Sequence, residues 1–212
     1  MANINQSVWN YLEQDRGIQK DLLRGIVNTR ALARYLMKNH AVTGSLDAVI
    51  SAIRRYEVKS SVEEEEESLK TIFKEALVST RSHISCLTLP LSTIGKFREF
   101  IRSFKTEHLV FKMVVGMTMM KLLEEEAKIK KLSEVFAPNE ILKYEENLSE
   151  ITITLQKKAM KTKGILARIA GELAVHDVNI EEIIVASPEI LLYVKDKHII
   201  QAHETLLKLT QG

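Results

Sequence analysis

The chain has 212 residues, of which 45% are apolar, with 30 Lys and Arg against 28 Asp and Glu and a formal net charge of +2. That apolar share excludes a disordered chain and is enough for the cores of two or three small domains. Near-balanced charge excludes a global field that would by itself hold nucleic acid or a membrane, so any such surface has to be local.

A single cysteine, Cys86, lies inside an apolar run. It excludes an intrachain disulfide and suits a reducing compartment, where a buried thiol behaves as a small apolar group. Apolar runs stay short of the ~20 residues needed to cross a bilayer. Met1-Ala-Asn-Ile-Asn-Gln6 has neither the basic nor the apolar part of a signal peptide. The expectation is a cytoplasmic protein with no membrane partner.

Residues 1–59 read as short helices punctuated by Gly17, Gly25 and Gly44. The spacing predicts a first helix carrying Val8, Trp9 and Leu12, and a second carrying Ile18, Leu22, Leu23 and Ile26. A third would carry Leu32, Ala33, Leu36 and Met37, and a fourth Leu46, Val49, Ile50 and Ile53. Asn28 or Thr29 is placed to cap the third helix and Ser45 the fourth, with Asp47 in its first turn. His40 to Gly44 makes the turn between them. Two amphipathic helices joined this way predict a helix-turn-helix whose second member is 46–56.

Up to Ser60 there are nine basic residues against five acidic ones. A DNA reader built on these helices would use Ser51, Arg54 and Arg55 toward the bases, and Arg30, Arg34 and Lys38 on phosphates. The phrases Ala31-Leu-Ala-Arg-Tyr-Leu36 and Ala48-Val-Ile-Ser-Ala-Ile-Arg-Arg-Tyr56 resemble small winged-helix DNA-binding domains, although no hairpin wing follows Tyr56. The same stripes equally suit a helical domain that docks on a protein, and both readings stay open.

Glu63 to Glu67 is an unbroken acidic run, followed at helical spacing by Leu69, Ile72, Phe73 and Leu77. It predicts a connecting helix over 60–79, and its charge excludes phosphates from that segment. From Val78 the pattern alternates. The expected elements are a strand at 83–89 ended by Pro90, a helix at 93–104, and two strands at 109–115 and 117–123 split by Gly116. A helix at 127–136 and a short strand at 141–146 complete the set. The final third repeats that order: a strand at 149–155, a helix with Ile165, Leu166, Ile169 and Leu173 on one face, strands holding Ile183, Val185 and Ile190, Leu192, Val194, and a helix at 198–209. Two copies of strand, helix, strand, strand, helix imply a structural repeat, 80–147 and 148–212. The second copy has no closing strand of its own. Its open edge calls for a strand from the linking region, from the first copy or from a partner chain, the last making a homodimer.

Gly164-Ile-Leu-Ala-Arg-Ile169, Val178-Asn-Ile-Glu-Glu-Ile183 and Ser187-Pro-Glu-Ile190 resemble the ACT domain, and in particular the regulatory half of aspartokinases. The resemblance implies that the helical, helix-turn-helix-like domain read above is followed by two ferredoxin-like βαββαβ ACT units, making the chain α+β. It also implies an amino acid or related metabolite as effector. In a pocket at an interface between ACT units, its carboxylate would rest on backbone N–H groups of the loop and helix start at Thr162, Lys163, Gly164, Ile165 and Leu166, faced by Val178, Asn179 and Ile180 before the second strand. Lys161-Thr-Lys163 departs from the family, which often places an acidic residue here, so no amine-binding Asp is available from that position. The structural alternative is that Gly164 eases a turn and Asn179 caps one.

Catalytic chemistry has little to stand on. The six histidines are scattered, and His198 and His203 are five apart, which is not the spacing of helical metal ligands. Neither phosphate-binding glycine pattern occurs. The Met113, Met117, Met119 and Met120 group reads as flexible core or interface. No cofactor and no metal are expected, and the chain is read as non-catalytic. Two functions are expected to compete: an effector-sensing regulator that controls DNA binding, and an oligomerising protein that docks on a protein partner.

Overall fold

The computed structural model describes residues 3–40, 42–58, 60–103 and 111–211. Phe104, Leu109 and Val110 of the expected elements, Ala41 in the expected turn, and Lys59 in the basic count lie outside them. The chain divides into two units, Met1–Ser68 and Leu69–Gly212.

The first unit holds α1 (Ile4–Gln14), α2 (Arg16–Leu23), α3 (Thr29–Asn39), α4 (Leu46–Arg54) and the start of α5 (Ser60–Lys74). Each of the first four begins where a short polar side chain satisfies N–H groups that have no helical partner. Asn3 accepts from Asn5, Asp15 from Ile18, Asn28 from Arg30 and Ala31, and Ser45 from Ala48. Val8, Leu12, Ala33, Leu36, Val49, Ala52 and Ile53 form the core, at about 1.5–3 kcal/mol for each large aliphatic buried. Gly44 has φ +145°, and a Cβ there would come within 2.6 Å of Ile4 Cδ1, so the turn into α4 requires glycine. The second helix ends at Leu23, earlier than its apolar spacing suggested. Gly25 at φ +71° stops it and leaves Ile26 exposed. Part of the acidic run is paired within this unit: Glu65 with Arg16 at 2.8 Å, and Glu66 with Lys20.

The second unit is a six-stranded sheet in the order β2-β3-β1-β4-β6-β5. The strands are β1 (Leu77–Pro90), β2 (Lys112–Val115), β3 (Met119–Glu125), β4 (Lys143–Thr154), β5 (Glu182–Ala186) and β6 (Glu189–Lys195). The helices α6 (Ile94–Ser103), α7 (Glu126–Ser133), α8 (Ile165–Val175) and α9 (Ile199–Gln211) cover it. Every neighbouring pair of strands is antiparallel.

Two of the sequence expectations are corrected here. The strands expected at 141–146 and 149–155 are one continuous β4, so the division at 147/148 falls inside a strand. The linking segment 60–79 is not wholly helical: α5 ends at Lys74 and Leu77 already opens β1. Alternation read on single strands shows where side chains point but not that a strand continues through a bulge.

That early start of β1 closes the open edge. Leu77 to Arg81 pair with Thr154 to Glu150, while Ile84 to Pro90 pair with β3. Of the three sources left open by the sequence, the linking region (Leu77 to Ser79) and the first copy (Thr80 and Arg81) supply the strand together, as one continuous β1. Both long strands carry one extra residue near the middle, at His83 (φ +59°) in β1 and Asn147 (φ +58°) in β4. Such bulges bend and twist a pair of strands.

The bend folds the sheet over itself. Lys121 on β3 pairs with Glu182 on β5, four strands away, and Lys112 on β2 lies 2.9 Å from Glu150 on β4, three strands away. At ~4.8 Å per strand a flat sheet would hold these pairs roughly 19 and 14 Å apart, beyond the reach of two side chains. Inside the fold lie Ile84, Cys86, Leu123, Leu148, Leu191 and Tyr193. On the outer face, Leu87, Leu89, Met120 and Leu122 pack with α6 and α7, and Ile151, Ile153, Ile190, Leu192 and Val194 pack with α8, α9 and the end of α5.

The folded interior is also charged. Arg81 Nη1 donates to Glu124 Oε1 at 2.9 Å, and the Tyr193 hydroxyl donates to Glu150 Oε2 at 2.6 Å. Burial works against the Arg81 guanidinium, but Glu150 and Glu124 outweigh it and raise its pKa. Burial likewise works against the Glu124 carboxylate, and the Glu125 backbone N–H with Arg81 reverses that and lowers it. Burial and the bond to Glu150 push the Tyr193 phenol far up, so it stays protonated. Burial also raises the Cys86 thiol, in keeping with a core role.

Candidate functional site

After β4 the chain makes a 3-10 turn over Lys157–Lys161 and enters α8 through Gly164. The Leu155 N–H donates to the Pro188 carbonyl at 3.0 Å and the Thr162 N–H to that of Ala159 at 2.9 Å, which fixes both ends of the loop. Gly164 has φ +86°, a left-handed conformation that an L side chain resists. As the capping residue it offers no side-chain acceptor. The Arg168 N–H takes the Gly164 carbonyl at 2.9 Å, and the N–H groups of Ile165, Leu166 and Ala167 precede the first helical bond. They carry the positive end of an 11-residue helix.

A cleft of about 350 Å3 opens at this point. Four of the residues expected at an effector site line it: Thr162, Gly164, Ile165 and Leu166. Leu155, Ala167, Val185 and Ile190 complete the lining. Val185 reaches it because it is paired with Ile190 across β5 and β6, with Ile190 in turn beside Ile153 on β4. Val185 is 50% exposed and Leu166 44%, so the cleft is open to solvent. The alternation of Ile183 and Val185, and of Ile190 and Leu192, already marks Val185 and Ile190 as facing the helix side. Their place near its first turn depends on how far β5 runs back along α8.

The other expected residues do not line the cleft. Lys163 is exposed beside it. Val178, Asn179 and Ile180 follow the far end of α8, and an 11-residue helix spans about 16 Å. Val178 is buried in the core with its N–H on the Leu173 carbonyl, Asn179 donates to Glu181 at 3.1 Å, and Ile180 packs against the same core. Within one chain they are separated from the loop by the length of α8.

In the helical unit Arg30, Arg34 and Lys38 are exposed along one side of α3, as their four-residue spacing requires, and Ser51 and Arg54 are exposed on α4. Arg55 is turned back: its Nε donates to the Ser51 carbonyl and its Nη2 to Asn5 Oδ1, both at 3.2 Å. No strand occurs among the described residues before Leu77. A second cleft, about 490 Å3, lies between α1 and the end of α3, lined by Tyr11, Gln14 and His40 among others. The His40 ring sits 4.5 Å from that of Tyr11 and 5.4 Å from that of Tyr35. None of the six residues named for DNA lines it. Among the described residues no group of three or more His, Cys, Asp and Glu is placed to hold a metal ion, and no helix is long and apolar enough to cross a membrane.

No protein-family model matches the chain, and no curated protein sequence does. Solved structures do. An aspartate kinase from Clostridium acetobutylicum is 18% identical with a TM-score of 0.52, over 63% of this chain and 34% of that one. The regulatory subunit of aspartate kinase from Thermus thermophilus, in a ligand-free form, is 15% identical with a TM-score of 0.51, over 62% of this chain and 95% of the subunit. Aspartate kinase from Synechocystis is 14% identical with a TM-score of 0.53, over 63% of this chain and 26% of the enzyme. The chain thus spans about a third of the length of the Clostridium enzyme and nearly all of the Thermus regulatory subunit. At such identities the likeness is one of fold: over the matched part the chain has an α+β fold similar to that of the Thermus regulatory subunit.

Proposed function

We propose that the chain is a non-catalytic regulatory protein whose folded sheet comprises two interlocked ACT-like units, close to 80–147 and 148–212. An amino acid or related metabolite binds at the start of α8 and controls a DNA-binding helical unit, 1–59, in the cytoplasm. One observation carries the reading: three N–H groups without helical partners border an apolar cleft, next to a left-handed glycine that supplies no competing acceptor. The N–H groups suit a carboxylate and the cleft an apolar side chain. The likeness to a regulatory subunit, and to an enzyme described as allosteric, supports regulation over catalysis. The edge strands β2 and β5 expose Met113, Val115, Ile183 and Val185, which supports a homodimer formed through the sheet.

The six residues Arg30, Arg34, Lys38, Ser51, Arg54 and Arg55 form the proposed DNA surface. The engagement of Arg55 by Asn5 and Ser51 favours the rival reading, a helical unit that docks on a protein such as an amino-acid biosynthetic enzyme. Calorimetry against the common amino acids and retention on DNA fragments at two salt concentrations test the whole. The regulator reading requires heat from at least one ligand and a salt-dependent DNA complex lost on charge reversal of Arg54 and Arg55. Absence of both refutes it. A protein partner that survives the charge reversal establishes the rival.

A further inference from the structure

We infer that the cleft at the start of α8 selects an aliphatic carboxylate and does not read an ammonium group. A branched fatty acid or 2-oxo acid then binds at least as tightly as the amino acid of the same skeleton. The inference rests on the reading of this cleft as the effector site and names the class of ligand.

Holding an amino acid requires acceptors for its ammonium as well as donors for its carboxylate, because a desolvated charge without a partner is costly. The described lining contains no acidic side chain, and the Thr162 hydroxyl is its one polar side-chain group. The backbone at the helix start presents N–H groups, which repel a cation. Lys157, Lys161 and Lys163 are exposed in the loop that leads into α8. Glu189, next to Ile190, is exposed and outside the lining. The lysines and the helix start have one sign, and they draw in an anion and oppose an ammonium held within the cleft.

The rest of the cleft is hydrocarbon. Leu155, Ile165, Val185 and Ile190 make a trough into which a branched tail of four to six carbons extends from a carboxylate on the Ile165 to Ala167 N–H groups. Each carbon of the tail buried there tightens binding by about fourfold. A cationic tail finds no partner among these residues, so lysine-like ligands are excluded by the same lining.

The test is calorimetric titration of the full chain with leucine, 4-methyl-2-oxopentanoate, 4-methylpentanoate, propanoate and 3-methylbutylamine. The expected result is a Kd for the two branched deaminated acids equal to or below that for leucine, weaker binding of propanoate by tenfold or more, and none of the amine. Leucine binding tenfold tighter than 4-methylpentanoate overturns the inference and leaves the effector site standing. No heat from any of these, nor from the common amino acids, removes the site itself. Val185→Glu, at a half-exposed position of the edge strand β5, locates the effect: it places a carboxylate in the trough and weakens the branched acids by at least tenfold. Unchanged affinity in a folded Val185→Glu protein overturns the inference by placing the acid elsewhere.

Discussion

Replacing Arg81 by methionine removes the cation at the centre of the folded sheet. The Glu124 side chain is 2% exposed, with Oε1 2.9 Å from Arg81 Nη1 and 3.5 Å from Lys128 Nζ. Breaking a fully buried pair costs about 3–5 kcal/mol, because one charge is left without its partner. Here the Arg81 side chain is 36% exposed and Lys128 stays, so water and a second cation screen the orphaned carboxylate. Glu150, 3.6 Å from Arg81, keeps Lys112 and the Tyr193 hydroxyl. The expected loss is therefore about 2–3 kcal/mol. Urea unfolding should be followed by far-UV circular dichroism, since the single tryptophan, Trp9, belongs to the helical unit and reports on that unit instead. Arg81→Met with Glu124→Met removes both charges and should return to within about 1 kcal/mol of the parent. A loss below about 1 kcal/mol in the single variant, or no recovery in the double one, refutes the claim that this pair lies inside a folded-over sheet.

Other outcomes follow from the same contacts. Gly164→Ala meets only Leu69 Cδ1, at 3.5 Å, so the φ of +86° and not a clash sets its cost at about 1–2 kcal/mol, seen as a lower Tm. Asn28→Ala removes the acceptor of two N–H groups and should cost the helical unit about 1 kcal/mol, read by Trp9 fluorescence in urea. The native pKa values of Glu124 and Glu145 are lowered, so their contribution is present above the unfolded carboxylate range and lost as pH falls through the native values. A stability profile between pH 7 and 3 should therefore decline, and the Glu124 share of that decline should be absent in Glu124→Gln. Tyr193 is raised, so its contribution is intact below the unfolded phenol range and fades as alkali ionises the unfolded chain first. Tyr193→Phe should flatten that alkaline fall.

The helical unit was legible nearly residue by residue, since three-and-four spacing and the caps Asn28 and Ser45 are local signals. Element order in the sheet was legible too. Topology was not: whether Asn147 ends one strand or bulges within it depends on its pairing with β1, sixty residues earlier in the chain, and no local signal records that. The cleft divides the same way. Gly164 marks itself through a backbone only glycine adopts easily, and Thr162, Ile165 and Leu166 travel with it. Val185 and Ile190 arrive through strand register, and within one chain α8 puts its own length between Val178 to Ile180 and the loop. Charge pairs such as Lys121 with Glu182 were invisible in sequence, because they exist only once the sheet has folded over.

The most direct measurement is an NMR titration of the isotope-labelled full chain with leucine and 4-methylpentanoate, following backbone amides. An effector held at the helix start shifts the Ile165, Leu166 and Ala167 amides together with those of Leu155 and Ile190, saturably, while Val178 and Asn179 at the far end of α8 stay nearly still. Saturable shifts clustered elsewhere, with these three amides unmoved, contradict the assignment of the regulatory site to this cleft.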